Sequence, residues 1–287
     1  MTALHGMRHW AGIVLELAKV RIAILATASA ATGYLLVARA FSPAILPTVA
    51  GVFLLAAGAG ALNQVQERDL DALMHRTMKR PIPTGRIGAG AALAVAVALL
   101  AAGSAFLSGN LVAVVLGAVT VVWYNGVYTP LKRVSAFAAI PGGVVGAIPP
   151  VIGWVAGGGG PADPRILAVA FFFFVWQVPH FWLLLLRIGD DYARAGLPTL
   201  TRVFTRPQFA RIIYVWMIAT AVACVSMPLF GVSVATWAYG GLALASLWLG
   251  WHATAMVRTD GRVLAFRHIN LYALFVISLL SLSGLVG

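Results

Sequence analysis

Long apolar stretches separated by short polar segments run through the whole chain. A transmembrane helix needs about 20 predominantly apolar residues, enough to cross ~30 Å of hydrocarbon at ~1.5 Å per residue. By that measure the pattern predicts nine spanning helices, at approximately 22–42, 44–64, 89–108, 110–128, 136–156, 164–186, 208–228, 231–256 and 267–287. The first of these lacks an A-x-A cleavage pattern, so we expect it to be a permanent helix. Because nine spans leave few residues over, we predict an all-α integral membrane protein with one domain, residues 1–287.

The composition supports this membrane assignment. The 287 residues are 61% hydrophobic with a mean hydropathy of +0.93, whereas soluble domains use about 45–50% apolar residues. Cys224 is the single cysteine and lies inside a predicted span. It therefore excludes an intramolecular disulfide and a cysteine-based metal site.

The basic residues indicate how the chain crosses the membrane. A net charge of +12 can signal nucleic-acid binding, but here the bases lie in short loops between spans, so we expect no nucleic-acid partner. Eighteen of the 20 Lys and Arg residues fall on one side of the predicted topology, and only Arg39 and Arg165 fall on the other. The positive-inside rule then places the N-terminus and the loops after even-numbered spans in the cytoplasm. We expect the protein in the cell (inner) membrane.

The segment "LNQVQERDLDALMHRTMKRPIPTG" is unusually rich in charge for this chain, with seven charged residues between Asn63 and Arg80. If the preceding helix continues beyond the membrane surface, Asn63, Glu67 and Asp71 stand at i, i+4 and i+8 and share one face. Such oxygen ligands suit Mg²⁺, which proteins usually hold through one or two carboxylates plus substrate phosphates. The alternative is a solvated interfacial loop that only fixes topology, although this leaves the acids unexplained.

Basic residues follow Asp71 closely in the sequence and recur in other loops on the predicted cytoplasmic side. Arginine offers paired donors to phosphate oxygens, and lysine offers a point charge. A second acidic loop, "RIGDDYARAGLPTL", contains Asp190 and Asp191. Two acidic motifs with a basic collar suit a metal-bound diphosphate whose departure ionises an allylic ester. The predicted diphosphate-binding cations are Arg76, Lys79, Arg80, Lys132 and Arg133.

Several longer motifs resemble a known family. The pattern N-x-x-x-D-x-x-x-D appears as Asn63, Glu67 and Asp71, and "YTPLKR", "GAIPPVIGW" and "WQVPHFWLLLLRIGDDYARAGLPTL" follow in order. On these residues, the chain resembles the UbiA-type intramembrane prenyltransferases, and within them the branch that farnesylates heme. Glu67 replaces the usual Asp, which alters the ligand geometry. The second motif lacks two Asp four apart, so the choice between Asp190 and Asp191 as metal ligand stays open.

The resemblance implies nine helices around a central cavity that opens to the cytoplasm and to lipid. It implies that farnesyl diphosphate ionises with Mg²⁺ as cofactor, that a vinyl group of heme b captures the allylic cation, and that water completes heme o. It further implies metal binding by Asn63, Glu67, Asp71 and at least one of Asp190 and Asp191, with Asp191, Arg76 and Arg80 also catalytic. The aromatic residues expected to shield the cation are Trp123, Tyr124, Tyr128, Trp176, Phe181 and Trp182.

His180 is the most informative single residue of the later motif. It lies inside a predicted span after Pro179, where an unpaired polar group is costly. Imidazole is a common ligand of heme iron, so we expect His180, together with Trp176, to bind the heme. The alternative is a hydrogen bond between helices.

Two other functions fit part of the pattern. A prenyltransferase acting on a quinone precursor or a chlorophyll-like acceptor would keep both acidic loops without needing W-Q-x-P-H-F-W. A cation-coupled transporter would instead place ionisable residues at the bilayer midplane. The isoprenoid length, the oligomeric state, and any heme a synthase or terminal oxidase assembly partner stay open.

Overall fold

The computed structural model describes residues 2–232, 234–258 and 262–286, and within them every regular element is helical. The helices are α1 (Thr2–Leu17), α2 (Val20–Ala38), α3 (Ile45–Gln66), α4 (Arg68–Leu73), α5 (Ala89–Phe106), α6 (Leu111–Val121), α7 (Thr129–Leu131), α8 (Ala139–Gly142), α9 (Val144–Ala156), α10 (Pro164–Arg194), α11 (Leu200–Val203), α12 (Arg206–Ser226), α13 (Thr236–Arg258) and α14 (Arg262–Val286). A π-helical segment, Val122–Tyr128, joins α6 to α7, and a 3₁₀ turn, Met227–Phe230, follows α12.

Eight segments of the described chain are long and apolar enough to cross a membrane. The prediction of an all-α integral membrane protein is therefore confirmed. The predicted span 231–256 corresponds to α13, which has 23 residues and is not among the eight. Its predicted start was wrong, because Gly231 takes a left-handed conformation (φ 82°) that ends the 3₁₀ turn, and the helix begins only at Thr236.

An N-terminal helix that the apolar runs did not predict precedes the first span. Helix α1 buries Ile13 and Leu17 against the α3–α5 region and exposes Leu15 and Glu16. This one-sided burial is typical of an amphipathic helix at the membrane interface. The helix ends where Lys19 adopts a left-handed conformation (φ 47°).

Glycines allow two spanning helices to approach closely. A Cβ atom on Gly33 of α2 would lie 1.9 Å from the carbonyl oxygen of Pro150, and one on Gly153 of α9 would lie 1.7 Å from that of Ala30. Small residues permit such backbone contact in membrane proteins, where packing drives helix association.

The spanning helices form a ring around a cavity. Helix α2 contacts α3 and α9, α9 contacts α10, α10 contacts α12 and α14, and α14 returns to α2. Helix α10 bends at Ile188 (φ −120°, ψ 16°), which separates its spanning part from the turn that carries Asp190 and Asp191. The ring therefore gathers four polar segments at one end, around residues 19, 63–80, 128–132 and 188–198.

Candidate active site

A cavity of about 470 Å³ occupies the centre of the ring, a size typical of small-molecule sites. Its polar end is lined by seven charged or amide side chains: Lys19, Asn63, Glu67, Asp71, Arg76, Arg80 and Lys132. The rest of its wall is mainly apolar and aromatic. The cavity therefore joins a charged end to an apolar chamber.

The predicted stripe of oxygen ligands is present, although the helix that carries it is broken. Helix α3 ends at Gln66, and Glu67 leaves helical geometry (φ −102°, ψ 7°) before α4 begins. The backbone hydrogen bonds from Glu67 N to Asn63 O (2.9 Å) and from Asp71 N to Glu67 O (2.7 Å) cross this break. They keep the i, i+4, i+8 alignment. Asn63, Glu67 and Asp71 are only 1%, 8% and 1% exposed, so this is not a solvated loop.

Each member of the stripe binds one cation. Lys19 Nζ donates to Asn63 Oδ1 at 2.6 Å. Lys132 Nζ lies 2.5 Å from Glu67 Oε1, and Arg80 Nη1 lies 2.7 Å from Asp71 Oδ2. We call these three pairs the cation ladder. Arg80, Lys132 and Arg76, which also lines the cavity, outnumber the two carboxylates even without Lys19, so the polar end carries surplus positive charge that favours an anion.

The amine of Lys19 and the carboxyl group of Glu67, both in the ladder, have shifted pKa values. Burial, followed by the nearby Arg80 charge, lowers the pKa of Lys19 to about 7. For Glu67, burial alone would raise the pKa of the carboxyl, but the charge and hydrogen bond of Lys132 outweigh it and lower the pKa. Glu67 is therefore ionised at neutral pH and suited to bind a cation.

Asp71 retains an oxygen available for a ligand. Its Oδ2 accepts from Arg80, whereas its buried Oδ1 has no hydrogen-bond partner within the described structure. Buried polar atoms are nearly always partnered, so an orphaned carboxylate oxygen in a cavity wall suits an absent ligand. The described residues contain no group of three His, Cys, Asp or Glu side chains around one point. Any metal held here would therefore share its shell with Asn63 and with substrate oxygens.

The second acidic loop is arranged differently from the first. Asp191 accepts from the backbone amides of His75 (3.1 Å) and Arg76 (3.1 Å) and contacts Arg194 at 3.3 Å. It thereby ties the end of α10 to the loop that carries Arg76. Asp190 is exposed, and neither carboxylate is among the lining residues of the cavity. A metal role for either residue stays a prediction.

The predicted diphosphate-binding cations divide into two groups. Arg76, Arg80 and Lys132 line the cavity. Arg133 is exposed, and its Nη2 donates to the carbonyl of Gln66 at 2.7 Å, where it caps α3. Lys79 is exposed, and its carbonyl accepts from Arg86. Neither Lys79 nor Arg133 lines the cavity in this structure.

Only some of the aromatic residues expected to shield the cation line the cavity. Tyr124, Tyr128 and Phe181 form a continuous stack, with ring centroids 5.9 and 5.7 Å apart, and line the cavity together with Trp176. The expectation for Trp182 was wrong, because it is 1% exposed and packed in the core away from the cavity.

The expectation that Trp123 shields the cation was also wrong. Its indole nitrogen donates to the carbonyl of Pro141 at 2.8 Å, and it is not a lining residue. Trp123 shares the π-helical segment Val122–Tyr128 with Tyr124 and Tyr128, but only the two tyrosines line the cavity.

His180 lies at the apolar part of the cavity. Its Nδ1 is 2.8 Å from Asn270 Oδ1, and its ring packs 4.9 Å from Trp176 and 5.4 Å from Phe266, centroid to centroid. Both His180 and Asn270 line the cavity. Helix α10 continues through Pro179, so the imidazole reaches the cavity without a break in the helix.

The cavity also opens sideways between α2 and α14. Ile22 and Leu25 of α2 and Leu274 of α14 line it and are themselves exposed. At their opposite halves the two helices touch, with Thr32 Oγ1 2.8 Å from Ser281 Oγ. They therefore diverge toward the polar end, which leaves an apolar opening toward lipid.

Sequence reasoning missed several residues of the site. Lys19 entered the prediction only as one of the basic residues that orient the chain, but its side chain lines the cavity. Tyr192 and Asn270 also line the cavity. Asn125, in the π-helical segment, donates to Gln66 Oε1 at 3.0 Å and fixes the end of α3. The sequence signal for Asn125 was a polar amide side chain inside the apolar segment that precedes "YTPLKR".

Comparisons with known proteins agree with the fold and the motifs. Residues 24–280 match the sequence model of the UbiA prenyltransferase family. A protoheme IX farnesyltransferase of Geobacter sulfurreducens is 46% identical over 220 residues, covering 76% of this chain and 81% of the relative. One of Oleidesulfovibrio alaskensis is 38% identical over 273 residues, covering 94% and 96%.

Two solved structures have the same fold. A structure described for digeranylgeranylglyceryl phosphate synthase has a TM-score of 0.79 at 14% identity and covers 96% of this chain and 99% of its own. A UbiA homologue from Archaeoglobus fulgidus, bound to DMAPP and Mg²⁺, has a TM-score of 0.68 at 16% identity and covers 95% and 99%. With the family match and these relatives, the expectation drawn from the motifs is confirmed: the chain belongs to the UbiA prenyltransferase family.

Proposed function

We propose that this enzyme transfers the farnesyl group of farnesyl diphosphate to a vinyl group of heme b, giving heme o, in a Mg²⁺-dependent reaction. The observation that carries the proposal is one cavity with two chemically different ends: a cation ladder over buried carboxylates, and a histidine among aromatic rings. Relatives named protoheme IX farnesyltransferase support the choice of substrates.

The polar end fits a metal-bound diphosphate. Asp71 Oδ1 is buried without a partner, and Glu67 and Asn63 present further oxygens along the same face. These three residues would hold Mg²⁺, which when bound supplies positive charge that stabilises the departing diphosphate. In a related fold, the Archaeoglobus fulgidus homologue was solved with Mg²⁺ and DMAPP.

The surrounding cations would hold the phosphate oxygens. Arg76 and Arg80 present planar donor forks, and Lys132 presents an ammonium group, all at the cavity wall. Since Arg80 and Lys132 are paired with Asp71 and Glu67 in this structure, both cations must turn from carboxylate to phosphate when the substrate binds. Asp191 positions Arg76 through the backbone of its loop.

The aromatic stack would protect the allylic cation. Departure of the diphosphate breaks the C1–O bond of the farnesyl group and leaves positive charge next to Tyr124, Tyr128 and Phe181. Aromatic faces attract such a charge, and their packing excludes water until the heme vinyl group forms the new C–C bond. Water then adds to the second vinyl carbon and loses a proton, which completes the hydroxyethylfarnesyl group.

The apolar chamber would hold the porphyrin. Trp176 and Phe266 flank His180, and flat aromatic rings suit a flat macrocycle. The side opening between α2 and α14 gives an apolar substrate a route from the bilayer. On this proposal, His180 and Trp176 bind the heme, and the cation ladder binds the isoprenoid diphosphate.

We infer that the site faces the cytoplasm. The loops that surround the polar end are those rich in Lys and Arg, whereas Arg39 and Arg165 line a small pocket with Trp154 and Val232. The positive-inside rule then orients the polar end inward. Location in the cell inner membrane, and assembly with a heme a synthase or a terminal oxidase, stay predictions.

Turnover by the purified protein tests the proposal. Detergent-solubilised enzyme would receive farnesyl diphosphate, Mg²⁺ and heme b, and the hemes would be separated by reverse-phase chromatography with mass detection. We expect a later-eluting heme that carries one added farnesyl group and one added hydroxyl group, and no such product after chelation of Mg²⁺. Unchanged heme b, with prenylation of a hydroxybenzoate or naphthoate offered alongside, would point instead to an aromatic acceptor.

A further inference from the structure

A hydrogen-bonded pair, His180 of α10 and Asn270 of α14, lies in the cavity wall. We propose that Asn270 is a positioning residue that fixes the tautomer and orientation of His180, so that His180 Nε2 is the atom presented to the porphyrin. The inference rests on the proposed function and adds a residue to it. It concerns the heme end of the cavity alone.

The hydrogen bonds of Asn270 determine which atoms donate. Its Nδ2 donates to the carbonyl oxygen of Phe266 at 2.6 Å. A flipped amide would instead place two acceptor oxygens against each other at that distance, so the observed orientation is favoured. The Oδ1 atom, which only accepts, therefore faces His180 Nδ1 at 2.8 Å.

The tautomer of His180 follows from this orientation. A neutral imidazole carries one N–H donor and one lone-pair acceptor. Since Asn270 Oδ1 requires a donor, the proton is on Nδ1, and the lone pair is on Nε2. A histidine that binds a metal commonly donates its other ring nitrogen to such a partner, which fixes the ring and raises its basicity.

Packing restricts the imidazole to this orientation. Trp176 lies 4.9 Å away at an interplanar angle of 33°, and Phe266 lies 5.4 Å away at 35°. The indole nitrogen of Trp176 in turn donates to Ile269 O at 3.0 Å. This second bond already joins α10 to α14, so the His180–Asn270 pair is not needed merely to hold the two helices together.

The test compares Asn270→Leu with His180→Ala in purified protein titrated with ferric heme b. Leucine has a similar volume and cannot accept a hydrogen bond. We expect Asn270→Leu to weaken heme binding at least tenfold and to shift the Soret band toward that of His180→Ala. The double variant should lose little more than His180→Ala alone, because Asn270 acts only through that imidazole.

Two controls separate positioning from general damage. Ser281 lies on the same helix as Asn270, and Ser281→Ala removes its bond to Thr32 of α2 but should leave the heme spectrum unchanged. Binding of pyrophosphate with Mg²⁺ should stay within about twofold of wild type in Asn270→Leu, which would show an intact fold at the polar end.

The possible results separate the inference from the proposed function. A normal heme affinity and Soret band in Asn270→Leu, with a loss in His180→Ala, would overturn the role of Asn270 alone. An equal loss of pyrophosphate binding in Asn270→Leu would make the pair structural and overturn the inference. Normal heme binding by His180→Ala would overturn it as well. The transferase proposal itself fails only if the wild-type enzyme makes no farnesylated heme.

Discussion

Replacing Lys132 by methionine should make Mg²⁺ bind more tightly to the enzyme in the absence of substrate. In this structure Lys132 Nζ lies 2.5 Å from Glu67 Oε1, and the two side chains are 14% and 10% exposed. A metal ion that reaches Glu67 must first displace this ammonium group. The lysine is therefore a competitor of the free metal, although we propose that it helps to bind the diphosphate.

The size of the effect follows from the burial of the pair. Removing one partner of a buried ion pair typically destabilises a protein by about 3–5 kcal/mol, because the other charge is left uncompensated. Lys132→Met should therefore melt at a lower temperature than wild type without metal. If Mg²⁺ recovers even ~1.4 kcal/mol of that penalty by contacting Glu67, its affinity rises about tenfold.

Calorimetry and thermal shift in detergent measure both quantities. We expect Mg²⁺ alone to bind Lys132→Met at least about tenfold more tightly than wild type and to raise its melting temperature more. Pyrophosphate should bind the same variant more weakly. Arg68→Met is the matched control, because Arg68 is an exposed cation next to Glu67 in the sequence that does not line the cavity. Unchanged or weaker Mg²⁺ binding in Lys132→Met would refute the reasoning.

Three further predictions address the packing, the phosphate donors and Lys19. Gly153→Ala places a Cβ 1.7 Å from the carbonyl of Ala30 and should lower the free energy of unfolding by about 1–3 kcal/mol, whereas Gly240→Ala, with nothing within 4 Å, should leave the melting temperature unchanged. Arg76→Lys keeps the charge but loses the planar fork, so pyrophosphate affinity measured by calorimetry should fall about tenfold; an unchanged affinity would mean that a diffuse positive field suffices. The pKa of Lys19 is lowered from 10.5 to about 7 in the folded protein. Between these two pH values the unfolded chain binds more protons than the folded one, so the free energy of unfolding rises with pH in that range. The melting temperature of Lys19→Met should accordingly rise less from pH 7 to 9 than that of wild type, and parallel curves would contradict this.

The fold was largely predictable because its main signal is local. Each apolar run long enough to span the bilayer is mainly helical, since hydrocarbon requires internal backbone hydrogen bonding, although the runs 110–128 and 136–156 are each divided into two helical segments. The exceptions have physical causes. Helix α1 buries only one face and so lacks a continuous apolar run, and the start of α13 is set by the turn at Gly231.

The mutual arrangement of site residues was predictable only where they are close together in the sequence. The spacing of Asn63, Glu67 and Asp71 placed them on one face, and the structure keeps them there. Their partners Lys19 and Lys132 lie just before α2 and just after α7, and which cation turns inward depends on tertiary packing. The same holds for His180, whose partner Asn270 is 90 residues away.

The central claim is that one cavity binds two substrates at opposite ends. Measuring both bindings in both Asp71→Ala and His180→Ala tests it most directly, with pyrophosphate plus Mg²⁺ followed by calorimetry and heme b followed by its Soret band. The account predicts a crossed result: Asp71→Ala loses pyrophosphate and keeps heme, and His180→Ala loses heme and keeps pyrophosphate. If each variant lost both ligands in parallel, or if His180→Ala lost pyrophosphate alone, the division of the cavity would be contradicted.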